Sequence, residues 1–213
     1  MPLESGLVMS VEVHQFLVLL GVVLGSYLLG AVNSALIISR VFNLKDPRTE
    51  GSGNPGATNM LRVSENKRWA VMTLVGDAGK GALAVWLVSY LAGESLPSSW
   101  PSPEVVAAIM AVVGHVWPVY YRFQGGKGVA TLAGVMAVLN PLLLAMGLAT
   151  WLFGYVLYRR VSAASIAVGA TLPLYAWAVH RDWDLVLAGL FLGIVVVYRH
   201  QENLRRLLRG EED

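Results

Sequence analysis

Residues 125–131 read GGKGVAT, a lysine among three glycines ahead of the apolar run LAGVMAVL. Gly125, Gly126 and Gly128 stand just before the predicted start of a helix. Unpaired N–H groups and the positive end of a helix dipole would face the same place as the Lys127 ammonium. Such a place attracts an anion. A Walker A loop would carry Ser or Thr after its lysine; Gly128 follows here, and no soluble βαβ unit surrounds the stretch. The alternative reading of Lys127 is an interfacial lysine that only marks one side of a membrane.

A second stretch, EGSGNPGATNMLR at 50–62, combines three glycines with short polar side chains. Gly51, Gly53 and Gly56 permit φ > 0 and could aim N–H groups into one concavity, with Ser52, Asn54, Thr58 and Asn59 as added donors and Arg62 as a charge. The alternative is a flexible loop of turn formers. The third stretch is YRHQENLRRLLRGEED at 198–213. His200 and Asn203 are three apart and share a face if a helix continues from the apolar run before them, with Arg206 and Leu207 following. Arg205 and Arg209 read as the basic side of a tail lying on anionic lipid. Polar groups also interrupt the apolar segments: Asn33, Ser34, the pair Asp77 and Lys80 in GDAGKG, and His115. Ionisable groups inside a membrane are costly and usually paired. Asp77 and Lys80 either neutralise each other or touch a substrate.

The elements that must position these groups follow from composition. Of 213 residues 55% are hydrophobic and 14% charged, and mean hydropathy is +0.57, which predicts an all-α, polytopic integral membrane protein forming one transmembrane domain over 1–213. With no cysteine, disulfides, thiolate nucleophiles and thiolate metal sites are excluded. The amino end carries glutamates where a secretory signal carries basic residues, so the run after it reads as a first span. Seven apolar segments are expected, near 13–38, 69–92, 104–121, 128–139, 142–158, 161–179 and 184–198. The fourth is short and turns at Asn140 and Pro141 into the fifth.

Threaded alternately, these segments put every lysine and arginine of the sixteen on one side except Lys80, within a span, and Arg181. The positive-inside rule then sets the N-terminus outside and the C-terminus in the cytoplasm. A five-span threading separates the charges less cleanly. The net charge of +2 is explained by this sorting, with no nucleic-acid partner needed. Trp117, Tyr120, Tyr121 and Tyr198 on the inner side and Trp100 on the outer fit interfacial belts.

GSGNPGATN, GHVWPVYYRFQGGKGVAT and RHQENLRRLLRGEE, together with GAVNSALIISR and GDAGKG, resemble the motifs of the PlsY-type acyl-phosphate:glycerol-3-phosphate acyltransferases of bacteria, in order and over nearly the whole chain. GAVNSA departs from the family's GSIPSA or GSIPFG, with Ser34 kept. The resemblance implies transfer of an acyl group from acyl phosphate to the 1-position of sn-glycerol 3-phosphate, giving lysophosphatidic acid and phosphate. This is the first acylation of phospholipid synthesis, at the cytoplasmic side of the bacterial inner membrane. It further implies no metal or other cofactor, membrane lipid as surroundings, and function as a monomer.

Both substrates carry a phosphate, so two anion-binding devices are required. Lys127 with Gly125, Gly126, Gly128 and Thr131 is expected to take one phosphate. Gly51, Ser52, Gly53, Asn54, Gly56, Thr58, Asn59 and Arg62 are expected to take the other; which loop takes which stays open. His200, with Asn203, is expected to bind glycerol phosphate or orient its hydroxyl, and Ser34 to add a hydrogen bond. Asp77, Lys80 and His115 support the site. A phosphate or organic-anion transporter is the rival from another class, since glycine loops and intramembrane charges occur there too. A small scaffold subunit is the second rival.

Overall fold

A computed structural model of the protein describes residues 2–92 and 101–212. Trp100, expected in the outer belt, lies outside the described residues. Those residues hold ten α-helices and no strand: α1 Pro2–Ala31, α2 Ser34–Val41, α3 Ala57–Ser64, α4 Lys67–Ala92, α5 Pro103–Val116, α6 Val129–Leu139, α7 Pro141–Tyr158, α8 Val161–His180, α9 Trp183–Arg199 and α10 Gln201–Arg209. Each apolar segment read from the sequence carries a helix, although the third, expected over 104–121, leaves the α-helix after Val116 and closes with a 3-10 turn over Val119–Tyr121. Five spans are long and apolar enough to cross a membrane. Helix α6 has 11 residues, while α9 and α10 form a further candidate span bent by 58°. Phe16, Trp86, Phe153 and Ile194 point outward from the bundle, as side chains solvated by lipid do.

The first segment corrects the sequence expectation of one unbroken span over 13–38. Helix α1 stops at Ala31, and Asn33 opens α2, its side chain accepting from the Leu36 N–H at 3.0 Å. An Asn at this position satisfies an orphan donor of the new helix, so the chain gains a cap where the span is interrupted. The Asn33 amide also donates to the Pro55 carbonyl at 3.4 Å, tying the break to the loop before α3. A second correction falls at the other end of the chain. His200 and Asn203 do not lie on a straight continuation of the last span, because the helix breaks at His200 and restarts as α10.

Between α6 and α7 the chain turns as the Asn-Pro pair predicts. The Asn140 side chain accepts from the Leu143 N–H at 3.0 Å, and Pro141 occupies the first turn, where its missing N–H costs nothing. Glycines let the helices touch at backbone distance. A Cβ on Gly114 would strike the Tyr27 carbonyl of α1, and one on Gly134 the Ala78 carbonyl of α4. Without a hydrophobic force between helices in lipid, such close approach is what packs them. The buried core joins Val85 of α4, Val112 of α5, Val135 of α6, Leu143 of α7, Leu172 of α8 and Leu192 of α9.

Candidate active site

The break between α9 and α10 is the first component. His200 leaves the helical conformation at φ −101° and ψ 11°, and its imidazole Nδ1 lies 2.8 Å from the Val196 carbonyl. A carbonyl only accepts, so Nδ1 carries the hydrogen, and the Nε2 of the neutral ring is left as an acceptor. Burial, reinforced by the charge of Lys127, pushes His200 down to about 4, which keeps the ring neutral at pH 7. Asn203 stands one turn along α10, buried, and its Oδ1 accepts from the Lys127 Nζ. Its amide nitrogen donates to Glu212 Oε1, while Glu212 Oε2 accepts from Arg206 Nε at 2.7 Å. Burial pushes the Glu212 carboxyl up, but the hydrogen bonds led by Asn203 and Arg206 outweigh it and hold the group below the ordinary carboxylate value.

The glycine-lysine loop is the second component. Gly128, at φ +86°, turns the chain into α6, a left-handed conformation suited to glycine. The Gly126 N–H donates to the His115 carbonyl at 3.1 Å. From the other side Arg199 donates through Nε to the Gly126 carbonyl at 3.2 Å and through Nη2 to the Gly125 carbonyl at 3.0 Å. Lys127 is half-buried between these grips. Burial pushes its ammonium down to about 8; Glu212 opposes the shift, whereas the charges of Arg206, Arg199 and Arg62 add to it. Lys127 thus feels three arginines against one carboxylate, a field that favours an arriving anion. Thr131 lies apart from this cluster. It is buried where α6 crosses α4, its backbone against Gly81, and its hydroxyl has no partner.

The loop before α3 contributes differently from its sequence expectation. Gly51 and Gly53 have positive φ, but Gly56 is extended at φ −137°. The N–H groups of Ser52, Gly53 and Gly56 are donated to Asn59 Oδ1, the Glu50 carbonyl and the Asn54 carbonyl. The expected N–H cradle is therefore not formed by these three. Asn59, expected to hold phosphate, is buried and spends its amide on the loop itself, donating to Pro47 at 2.7 Å and Glu50 at 3.0 Å. Ser52 and Thr58 are exposed and Asn54 is half-buried, and Arg62 reaches the field of Lys127.

Deeper in the bundle, Asp77 and Lys80 form a buried pair at 3.0 Å. Lys80 Nζ lies 2.9 Å from His115 Nδ1 and donates to the Val32 carbonyl, the acceptor freed where α1 stops. Asp77 Oδ1 accepts from the Ser34 N–H at 3.4 Å, at the first residue of α2. The pair therefore holds the break in the first span. Ser34 is half-buried, its hydroxyl against Gly76. His115 links this network to the loop, since a side chain on Gly126 would collide with its imidazole. Arg199 and Glu212 carry no sequence signal beyond a positive-inside arginine and a charged tail. Their roles follow only from their partners.

A helical bundle with apolar outer faces and a cation-rich, partly exposed cluster at a helix break defines an all-α integral membrane protein with an anion-directed site. The family model for glycerol-3-phosphate acyltransferase matches residues 20–210. The glycerol-3-phosphate acyltransferase of Methylobacillus flagellatus is 42% identical over 89% of this chain and 93% of its own, and that of Methylococcus capsulatus is 44% identical over 88% and 91%. A crystal structure of PlsY (YgiH), an integral membrane glycerol 3-phosphate acyltransferase in its glycerol 3-phosphate form, superposes with a TM-score of 0.83 at 32% identity, over 92% of this chain and 94% of that one. Its lysophosphatidic acid form gives 0.81 at 31%. The chain belongs to the glycerol-3-phosphate acyltransferase family and is an enzyme of the PlsY type, as its motifs suggested.

Proposed function

We propose that this acyltransferase uses acyl phosphate as donor, moving its acyl group to the 1-hydroxyl of sn-glycerol 3-phosphate and releasing 1-acyl-sn-glycerol 3-phosphate and phosphate. The observation that carries the reading is the junction of Lys127 with Asn203, which brings the glycine-lysine loop to the helix break among Arg62, Arg199 and Arg206. Two phosphate-bearing substrates need such a field. The relatives named for glycerol 3-phosphate, and the PlsY forms with glycerol 3-phosphate and lysophosphatidic acid, support the acceptor and the product.

The hydroxyl oxygen attacks the acyl carbonyl, an ester bond forms, and the bond from the carbonyl carbon to the phosphate oxygen breaks. Lys127 and the Gly128 amide stabilise one phosphate, the Gly126 N–H expected there being donated to the His115 carbonyl instead, and Arg62 with Ser52, Asn54 and Thr58 orients the other. His200 Nε2 accepts the hydroxyl hydrogen bond and aims the oxygen. With its imidazole held at about 4, His200 is a poor final base. A phosphate dianion, whose conjugate acid has a pKa of about 6, takes the proton instead. Acyl phosphate is a mixed anhydride and already activated. Asn203 holds Lys127 in place, and Ser34 adds a hydrogen bond from the break in the first span.

The same reading has the protein act as a monomer of seven spans, N-terminus outside, with its site at the cytoplasmic face of the bacterial inner membrane and the acyl chain dissolved among lipid. Purified protein should convert palmitoyl phosphate and glycerol 3-phosphate to lysophosphatidic acid and ignore acyl-CoA, and exhaustive chelation should leave the rate unchanged. Turnover with acyl-CoA, or a chelation loss restored by a divalent ion, sinks the corresponding part of the proposal.

A further inference from the structure

Arg199 is the last residue of α9 and directly precedes His200. Its guanidinium meets two successive carbonyls, Gly125 at 3.0 Å and Gly126 at 3.2 Å. A trans peptide unit places its C=O and N–H on opposite sides. Two adjacent carbonyls turned to one guanidinium therefore turn the N–H groups sharing their peptide planes, those of Gly126 and Lys127, the other way. The Gly126 N–H is met there by the His115 carbonyl at 3.1 Å. One peptide unit is thus gripped at both ends. The grip also leaves no room for side chains, because a Cβ on Gly125 would strike the His115 carbonyl and one on Gly126 its imidazole.

We propose that Arg199 is a positioning residue for acyl transfer: by fixing the carbonyls of Gly125 and Gly126 it sets where Lys127 stands relative to His200, its own neighbour in the chain. One helix end delivers the histidine and holds the loop that carries the lysine. A planar fork presents its donors to the two carbonyls at a fixed spacing and angle, which the rotatable ammonium of a lysine on its flexible stem does not enforce. The inference rests on the function proposed above.

Three variants test it, each purified beside wild type, with thermal unfolding recorded. Arg199→Lys keeps the charge and loses the fork; Arg199→Gln loses both. Both should lower kcat by about 10- to 100-fold and to a similar extent, with KM for glycerol 3-phosphate changing less and the unfolding midpoint staying near wild type. Added ethylguanidinium should restore part of the activity of Arg199→Ala, and ethylammonium should not. In a Lys127→Ala background, Arg199→Lys should add little further loss, because Arg199 acts through that loop.

Near-wild-type kcat in Arg199→Lys overturns the proposal, as does a loss confined to KM, which would make Arg199 a direct binding charge. Full additivity with Lys127→Ala, or failure of all three variants to fold, also overturns it. Wild type that is inert with acyl phosphate but active with another acyl donor sinks only the donor reading, and the variants are then compared with that donor.

Discussion

The ammonium of Lys127 donates to the amide oxygen of Asn203, 76 residues further along the chain. This contact joins the loop before α6 to the helix that follows the break at His200. Lys127→Ala should therefore lower turnover of acyl phosphate with glycerol 3-phosphate by about 100-fold or more, the loss typical of removing one charge-stabilising donor. Phosphate release per folded molecule is the readout, and an unchanged rate would remove Lys127 from the site.

Burial pushes Lys127 down to about 8, against the pull of Glu212. As pH rises through 8 the ammonium is lost, so KM for the phosphate it binds should climb above that pH. Glu212→Gln removes the opposing carboxylate and should move the climb to lower pH. The sign for stability is the reverse of a favourable ion pair. The fold penalises the charged form, so this group works against stability below pH 8, and the penalty fades between pH 8 and the ordinary lysine value. Steady-state KM profiles of both proteins check the shift.

Lys80 and Asp77 are both buried and 3.0 Å apart. Lys80→Met alone leaves Asp77 uncompensated and should destabilise the protein by about 3–5 kcal/mol, whereas Lys80→Met with Asp77→Leu should recover much of that loss. Thermal unfolding in detergent would show it. Equal midpoints for the single and double variants would mean that the pair does not hold the break in the first span.

Gly134 backs onto the Ala78 carbonyl, while Gly25 faces open space. Gly134→Ala must push α6 off α4 and should cost about 1–3 kcal/mol. Gly25→Ala should stay within about 0.5 kcal/mol. A larger midpoint change in the second variant than in the first would contradict the packing described.

Apolar runs, glycine punctuation and the Asn-Pro turn are local signals, and they specified the helices, the α6–α7 turn and the start of α6 at the glycine-lysine loop. The three motifs likewise marked the stretches around the site. The breaks were hidden, because an apolar run that is interrupted looks the same in composition as one that continues. Asn33 ends a span only because Lys80, 48 residues from Val32, takes the carbonyl released there. Asn59 has the residue type of a phosphate ligand, yet its amide is used up by Pro47, Glu50 and Ser52 once the loop closes on itself. Arg199 and Glu212 look like membrane-side charges until Gly125, Gly126, Asn203 and Arg206 stand beside them. Residue types along the chain dictate which segments enter lipid, since that depends on each segment's own surface. Which polar group meets which depends on the helices' mutual packing, and so emerged only once the bundle was assembled.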